Sequence, residues 1–475
     1  VKRFYGMVLL LAGIVGAFVL LGWAFYWVAA GGAYALNRIA SWVAQLFGGT
    51  GWDGLRHAYV YYGAAIANIL TLMLVVMMIS GSLLTVAERK WSAMIQNRIG
   101  ANRIKVFGSA LGGIPFLAAD ALKMLTKERV EPTGRTWFLY QLAPVLAFAP
   151  VFALFAIVPV GPEIELGKLL ASAVGTGEMI ALQVAQTDTG LLYIFAIASL
   201  QVYGTSLAGW ASNNKLALLG GVRASSQMIS YEVSLGLSLV GTMIAYRTLR
   251  LDEMVVAQGT PVFGVVPAIG LLLQPVGFLI FFASAFAETK RAPFDLPEGE
   301  SEIVGYFIEY SGMKFGLMFL AEFIEIVVLS AIVTAVFLGG WHPLVVSTEW
   351  LRSQLAPVWF GAVCTAAFLV KMVIVMWLQI TIRWLLPRFR YDQIQSLCWK
   401  LLLPASLANV FVTGGVALLF DDGNGRLDAA DLQPLAIMGA VTLAVISVIT
   451  AAAGRAPAPA ASGHGHSAAH AASGH

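Results

Sequence analysis

Carboxylates that share one face in a poorly hydrated place can hold and pass protons. Residues 288–312 read ETKRAPFDLPEGESEIVGYFIEYSG, placing Glu288, Asp295, Glu298, Glu300, Glu302 and Glu309 between two long apolar runs. Asp295-Leu296-Pro297-Glu298 has the pattern of a helix start: a capping Asp, a first-turn Pro and a reciprocal Glu. At about 100° per residue, a helix from there brings Glu302 to about 40° and Glu309 to about 20° from Glu298. Glu300 then points the other way, at about 200°. The expectation is a face of Glu298, Glu302 and Glu309, although Gly305 interrupts the run. Like charges so placed raise one another's pKa, which suits a proton relay. A solvated loop is the competing reading of any such charge run.

Other ionisable residues fall within or beside apolar segments. Glu322 and Glu325 are three apart, Lys371 is deep in a later run, Glu232 opens one run and Glu288 ends another. A charge at the bilayer centre costs about 2.5–3.5 kcal/mol on insertion scales, so such residues face protein or water and often mark ion paths. For Glu232 and Glu288, snorkelling at a helix end is the plainer alternative.

The elements that must position these groups are membrane helices. The chain has 475 residues, of which 59% are hydrophobic and only 12% charged. A spanning helix needs about 20 apolar residues, and ten candidates appear: 6–30, 60–87, 136–159, 190–211, 227–246, 264–287, 315–339, 358–386, 401–420 and 434–453. The fold class expected is all-α, a polytopic membrane helix bundle with amphipathic interfacial helices. Lys2 and Arg3 precede the first run, as in a signal peptide, but its apolar core is too long for one, so a retained helix is expected. Lysines and arginines number 21 on the side holding both ends and the loops after the even-numbered spans, against 7 on the other. That asymmetry assigns the first side, with both termini, to the cytoplasm.

Residues 35–47 and Ala118–Glu128 have amphipathic helical spacing and read as interfacial pieces. Asp421–Leu432, DDGNGRLDAADL, resembles a degenerate calcium loop, with Asp422, Asn424, Asp428 and Asp431 at ligand positions but Phe420 at the first. A solvated turn is the simpler reading. The Ala/Gly/Pro/His-rich tail reads as disordered. The expected organisation is an N-terminal addition at 1–58, a core at 59–405, an end helix with an added span at 406–453, and a tail at 454–475. The two cysteines, Cys364 and Cys398, are too few for an iron–sulfur cluster of the chain's own. The net charge of +3 argues against a nucleic-acid partner.

Several stretches, in order, resemble the H-type membrane component of proton-translocating NADH-quinone oxidoreductase, the family of NADH dehydrogenase subunit 1. They are AERK (Ala87–Lys90), QNRIGANR (Gln96–Arg103), AADALKMLTKE (Ala118–Glu128), GWASNNKLALLGGVRASSQMISYE (Gly209–Glu232), ETKRAPFDLPEGESE, EYSGMKF, LPRFRYDQ (Leu386–Gln393) and WKLLLP (Trp399–Pro404). The resemblance covers roughly 60–405, eight of the ten spans. Ala101 stands where the family usually has Pro, and the segment from Glu302 to Glu309 is one residue shorter than in many members.

This resemblance implies a subunit at the heel of the membrane arm of respiratory complex I, in the cell inner membrane. It would build the quinone chamber against a peripheral iron–sulfur subunit and adjoin the other membrane-arm subunits. Quinone is then a substrate, and no cofactor is bound by this chain alone. Carried over residue by residue, Arg89, Arg98, Arg103, Asp120, Arg223, Arg291 and Asp295 shape the chamber. Glu232, Glu288, Glu298, Glu302, Glu309 and Glu322 form a proton relay. The alternatives are the matching membrane subunit of an energy-conserving hydrogenase or formate hydrogenlyase, and a stand-alone transporter. The full ETKRAPFDLPEGESE text favours the quinone enzyme over the first. The absence of repeated halves speaks against the second.

Overall fold

The computed structural model describes residues 68–104, 113–165, 179–263, 266–299, 302–344, 348–355, 357–420 and 429–455. The expected first span, the interfacial helix at 35–47, Glu300, most of the calcium-like turn and the tail lie outside these residues. Within them, a wide-turned segment Ile69–Ile79 runs into α1 (Ser80–Ile95). Then come α2 (Pro115–Thr126), α3 (Trp137–Phe155), α4 (Gly190–Ala211), α5 (Lys215–Tyr246), α6 (Leu251–Gln258), α7 (Gly270–Leu273) and α8 (Pro275–Glu288). The remaining helices are α9 (Met313–Phe337), α10 (Thr348–Gln354), α11 (Pro357–Leu385), α12 (Tyr391–Leu397), α13 (Leu403–Leu419) and α14 (Ala429–Arg455). Two small antiparallel hairpins, β1 (Gly161–Glu165) with β2 (Met179–Leu182) and β3 (Pro261–Val262) with β4 (Val266–Pro267), lie in loops.

Seven helices among the described residues are long and apolar enough to cross a membrane, α12 and α13 counting as one run, Tyr391–Leu419. The chain is a multi-pass membrane protein. Nine of the ten expected spans therefore meet helices in the described residues, but three are placed differently. The span expected at 227–246 starts at Lys215, capped by Asn214, whose side chain accepts from the Leu216 N–H at 2.9 Å. Glu232 accordingly lies well inside a helix rather than at its mouth. The span expected at 264–287 is broken: Pro267 ends a hairpin, the single turn α7 follows, and Gln274, with a non-helical φ of −135°, separates it from the continuous helix that starts at Pro275. The span expected at 401–420 is extended backwards to Tyr391.

The helix expected to start at Asp295 does not form. Residues 291–299 and 302–310 are turns, with Val304 and Gly305 at φ of 67° and 125°. A helix needs negative φ throughout, so the two left-handed residues end any helical run there.

At the centre of the bundle stands α9. In its most apolar stretch, 78% is buried, against 17% in Tyr391–Leu419 at the periphery. It packs on α1, α3, α8 and α11. At its C-terminal end the backbone of Gly270 fits flush, where an added Cβ would lie 2.2 Å from the Val336 carbonyl oxygen. The orphan carbonyls of that end find donors from elsewhere. The Lys371 ammonium donates to the Leu338 and His342 carbonyls at 2.7 and 2.8 Å, and Gln258 donates to Ala335 O at 2.7 Å. Lys371, which the sequence suggests for an ion path, is thus committed to backbone oxygens.

The loops that the charge count groups together also touch one another. Ser311 donates to Val130 O, the Thr136 N–H donates to Ala211 O, Ser226 pairs with Tyr391, and Arg388 donates to Asp295 O. The opposite loops meet at the other end, through Leu191 N to Leu249 O, Tyr246 to Ala268 O and His342 to Val255 O.

Candidate functional site

With only fourteen residues, α8 rises about 21 Å at 1.5 Å per residue, short of a bilayer core of about 30 Å. Its Phe278 and Phe281 rings meet Phe337 of α9 at 5.5 and 5.6 Å between centroids, and the loop after it reaches Glu322 and Phe323 through Arg291. The loop after it therefore begins inside the bundle. That is why a charged stretch lies between two oily ones: it descends to meet a buried cluster.

Glu88 of α1, Arg291 of the loop and Glu322 of α9 form the centre. Arg291 Nη1 lies 3.1 Å from Glu88 Oε2, and its Nη2 lies 3.7 Å from Glu322 Oε2. The Arg291 guanidinium also sits 3.9 Å above the Phe323 ring. Arg383, from the end of α11, pairs with the other oxygen of Glu88. Tyr306 donates to Glu322 Oε1 at 3.1 Å. Deeper along α9, Glu325 accepts from Gln201 at 2.7 Å and faces Lys290 at 3.7 Å. Arg291, Lys290, Glu322 and Glu325 are each no more than 4% exposed. Buried charges persist only when paired, and here each is.

Glu298, half-buried, lies against Glu322. Burial pushes the Glu298 carboxyl well above its ordinary range, and the Glu322 charge pushes it further. Burial works against the Lys290 and Arg291 cations, but the carboxylates outweigh it: Glu325 and Glu322 hold Lys290 above its usual value, and Glu88 and Glu322 do so for Arg291. Glu288 is buried, and neither of its carboxyl oxygens has a hydrogen-bond partner among the described residues. Its charged neighbours are Glu325, Lys290 and Glu232. The arrangement is a row of carboxyls, Glu232 and Glu288 through Glu325 and Glu322 to Glu298 and Glu88, interleaved with three cations. Such a row redistributes protons when a nearby charge changes.

A sequence profile described as NADH dehydrogenase matches residues 67–414. The chain is 42% identical over 369 residues to the second of two H-type components of the NADH-quinone oxidoreductase of Geobacter sulfurreducens, covering 77% of this chain and 99% of that one. It is 40% identical over 356 residues to an H-type component of the NADH-quinone oxidoreductase of Cytophaga hutchinsonii, covering 75% and 96%. The corresponding NADH-quinone oxidoreductase component of Rhodospirillum centenum is 41% identical over 359 residues, covering 75% and 94%.

The chain belongs to the NADH dehydrogenase family. The family match ends before α14, which packs against α7, α8, α13 and β3 and is tied down by Asp431, 3.5 Å from Arg247.

Of the family residues carried over from sequence, Glu232, Glu288, Glu298, Glu322 and Arg291 come together. Glu302 does not join them. It is exposed, and Arg223 at 2.7 Å holds its carboxyl below the usual range. Glu309 accepts from Asn214 at 2.6 Å, and its backbone carbonyl accepts from Tyr140 at 2.7 Å. The shared face of Glu298, Glu302 and Glu309 is thereby replaced by three separate environments. Arg89 pairs with Asp120 of α2 at 2.9 Å near the surface. Arg98 is exposed and donates to Gln96, Arg103 is exposed, and Asp295 offers its backbone carbonyl to Arg388. Sequence reasoning missed Glu88, Arg383, Tyr306 and Gln201, gave no site role to Lys290, and noted Glu325 only as a charge within an apolar run. A charge at the end of an apolar run is the signal that Glu88 and Arg383 carried.

Proposed function

We propose that the chain is the membrane subunit of a proton-translocating NADH-quinone oxidoreductase, where it builds the quinone chamber and couples quinone reduction to proton translocation. The observation that carries this reading is the buried carboxyl row ending at the loop side of the bundle, in a chain of this family. Electrons arrive from NADH through a peripheral iron–sulfur subunit docked on the loop side. Quinone takes two electrons and two protons to become quinol. The changing charge at the quinone head is felt by Arg291 and by the carboxyl pair Glu298–Glu322, and protons redistribute along Glu325, Glu288 and Glu232. Arg89, Asp120, Arg98, Arg103 and Asp295 line or brace the chamber nearer the surface, and Arg223 braces Glu302 there. Arginine suits that task because it stays charged and can pair bidentately with carboxylates. The chain holds no cofactor of its own, contacts other complex I subunits and the bilayer but no nucleic acid, and sits in the cell inner membrane with both termini cytoplasmic.

The test is purification through a tag on this chain in mild detergent. NADH-driven quinone reduction and the electron-spin signal of iron–sulfur partners are the expected results. Hydrogen evolution without quinone reduction would transfer the chain to a hydrogenase complex.

A further inference from the structure

Two loops on the same end of the bundle are clasped together by a group of contacts outside the carboxyl row. Glu131, before α3, lies 2.5 Å from Lys314 in the first turn of α9 and 2.6 Å from Arg135. The Lys314 ammonium sits 4.6 Å over the Tyr140 ring, and Tyr140 stacks on Tyr310 at 4.2 Å, within 6° of parallel. The Tyr140 hydroxyl donates to the Glu309 carbonyl at 2.7 Å. Ser311 ties the turn further, accepting from the Val130 N–H at 2.8 Å and donating to Val130 O at 3.1 Å.

These contacts close a circuit. The turn they fix carries Tyr306, whose hydroxyl reaches Glu322. Glu322 leads through Arg291 to Glu88, and the next residue, Arg89, holds Asp120 of α2. The chain just after α2 returns to the clasp, since Ser311 also donates to the Glu128 carbonyl at 3.3 Å. Each link is a side-chain contact or a step between neighbouring residues of one helix or turn, so loosening one displaces the next.

We propose that Lys314 and Tyr140 are positioning residues: the Glu131–Lys314–Tyr140 clasp sets the Tyr306 turn and, through it, the Glu322 carboxyl of the relay. This rests on the reading of the chain as a quinone-coupled proton relay. Neither residue touches the carboxyl row, so neither is a catalytic residue. Their contribution is geometric, and it acts on turnover rather than on quinone binding.

The experiment uses the whole complex in membranes, with rates expressed per assembled complex from native gels. Four variants are compared: Lys314→Met, Glu131→Gln, the double variant, and Tyr140→Phe, which keeps the stacked ring and removes only the hydroxyl. Lys314→Arg serves as the conservative control. For Lys314→Met and Tyr140→Phe, kcat for quinone reduction should fall about two- to tenfold, the range of one lost hydrogen bond, with KM for quinone unchanged. Lys314→Arg should retain most of the rate. The double variant should be no worse than its worse single parent, because the two residues act as one pair. Unchanged kcat in assembled Lys314→Met and Tyr140→Phe complexes, or fully additive losses in the double variant, would overturn the clasp. A rise in KM alone would also overturn it, by moving the effect to the chamber. Failure of the underlying reading looks different, because the unmodified complex itself would then reduce no quinone.

Discussion

Glu298 and Glu302 are four residues apart and read alike in sequence, yet their surroundings divide them. Glu298 turns inward onto Glu322, while Glu302 is exposed and answered by Arg223. Glu298→Gln removes the titrating group from a half-buried carboxyl that lies beside the buried Glu322. It should leave assembly intact and lower quinone reduction or its proton yield about tenfold or more. Glu302→Gln should cost little, because an exposed ion pair contributes little. Both variants are to be measured side by side in membranes, and equal losses would mean that the inward turn of Glu298 carries no chemistry. The sequence made the run itself conspicuous, as charge between oily segments. Its geometry was hidden because the angular argument assumed a helix. The left-handed backbone at Val304 and Gly305 breaks that assumption, and Val304 gives no local warning of it.

Among the elements, α9 is held at both ends by groups that are not its own. The C-terminal end hands its carbonyls to Lys371 and Gln258, and the loop beyond it buries His342. Burial pushes the His342 imidazole down to about 4, and the Lys371 charge adds to this, while its hydrogen bond to the Val255 carbonyl opposes. The unfolded chain takes up a proton near the ordinary value of about 6.5, well before the folded one does. Stability is therefore full above that value and is lost as pH falls from about 6.5 towards 4, by up to about 3 kcal/mol at one pKa unit per about 1.4 kcal/mol. Thermal unfolding in detergent should show this slope, and His342→Gln should flatten it. An unchanged slope would mean that the histidine titrates alike in the folded and unfolded chain. Helix positions were readable from apolar length, as Gly190–Ala211 illustrates. The ends were not: α5 gains a dozen residues ahead of its expected start, where polar and apolar residues mix but nothing breaks the helix.

For the whole molecule, the short α8 decides both topology and site. Between Gly175 and the end of α14 lie seven helices, α4, α5, α8, α9, α11, the run Tyr391–Leu419 and α14, and an odd number of crossings puts the two points on opposite sides. Six of the seven meet the length of a span, whereas α8 has fourteen residues. Its path along α9, from the level of Phe337, which Phe278 and Phe281 touch, to that of Glu322, which Arg291 touches, carries the chain most of the way across, and the loop after it joins the end where Ser311 meets Val130. Packing against α9 settles what apolar length alone leaves short, since a backbone buried in protein needs no full-length helix at membrane depth. Reporter fusions at Gly175 and after Arg455 should accordingly signal opposite sides, with the tail in the cytoplasm as the 21-to-7 distribution of basic residues requires. The same signal from both would make α8 a re-entrant segment. The Glu288–Glu298 loop would then open to the other side of the membrane, away from any peripheral partner, and the carboxyl row would have no route to a quinone reduced on the cytoplasmic face.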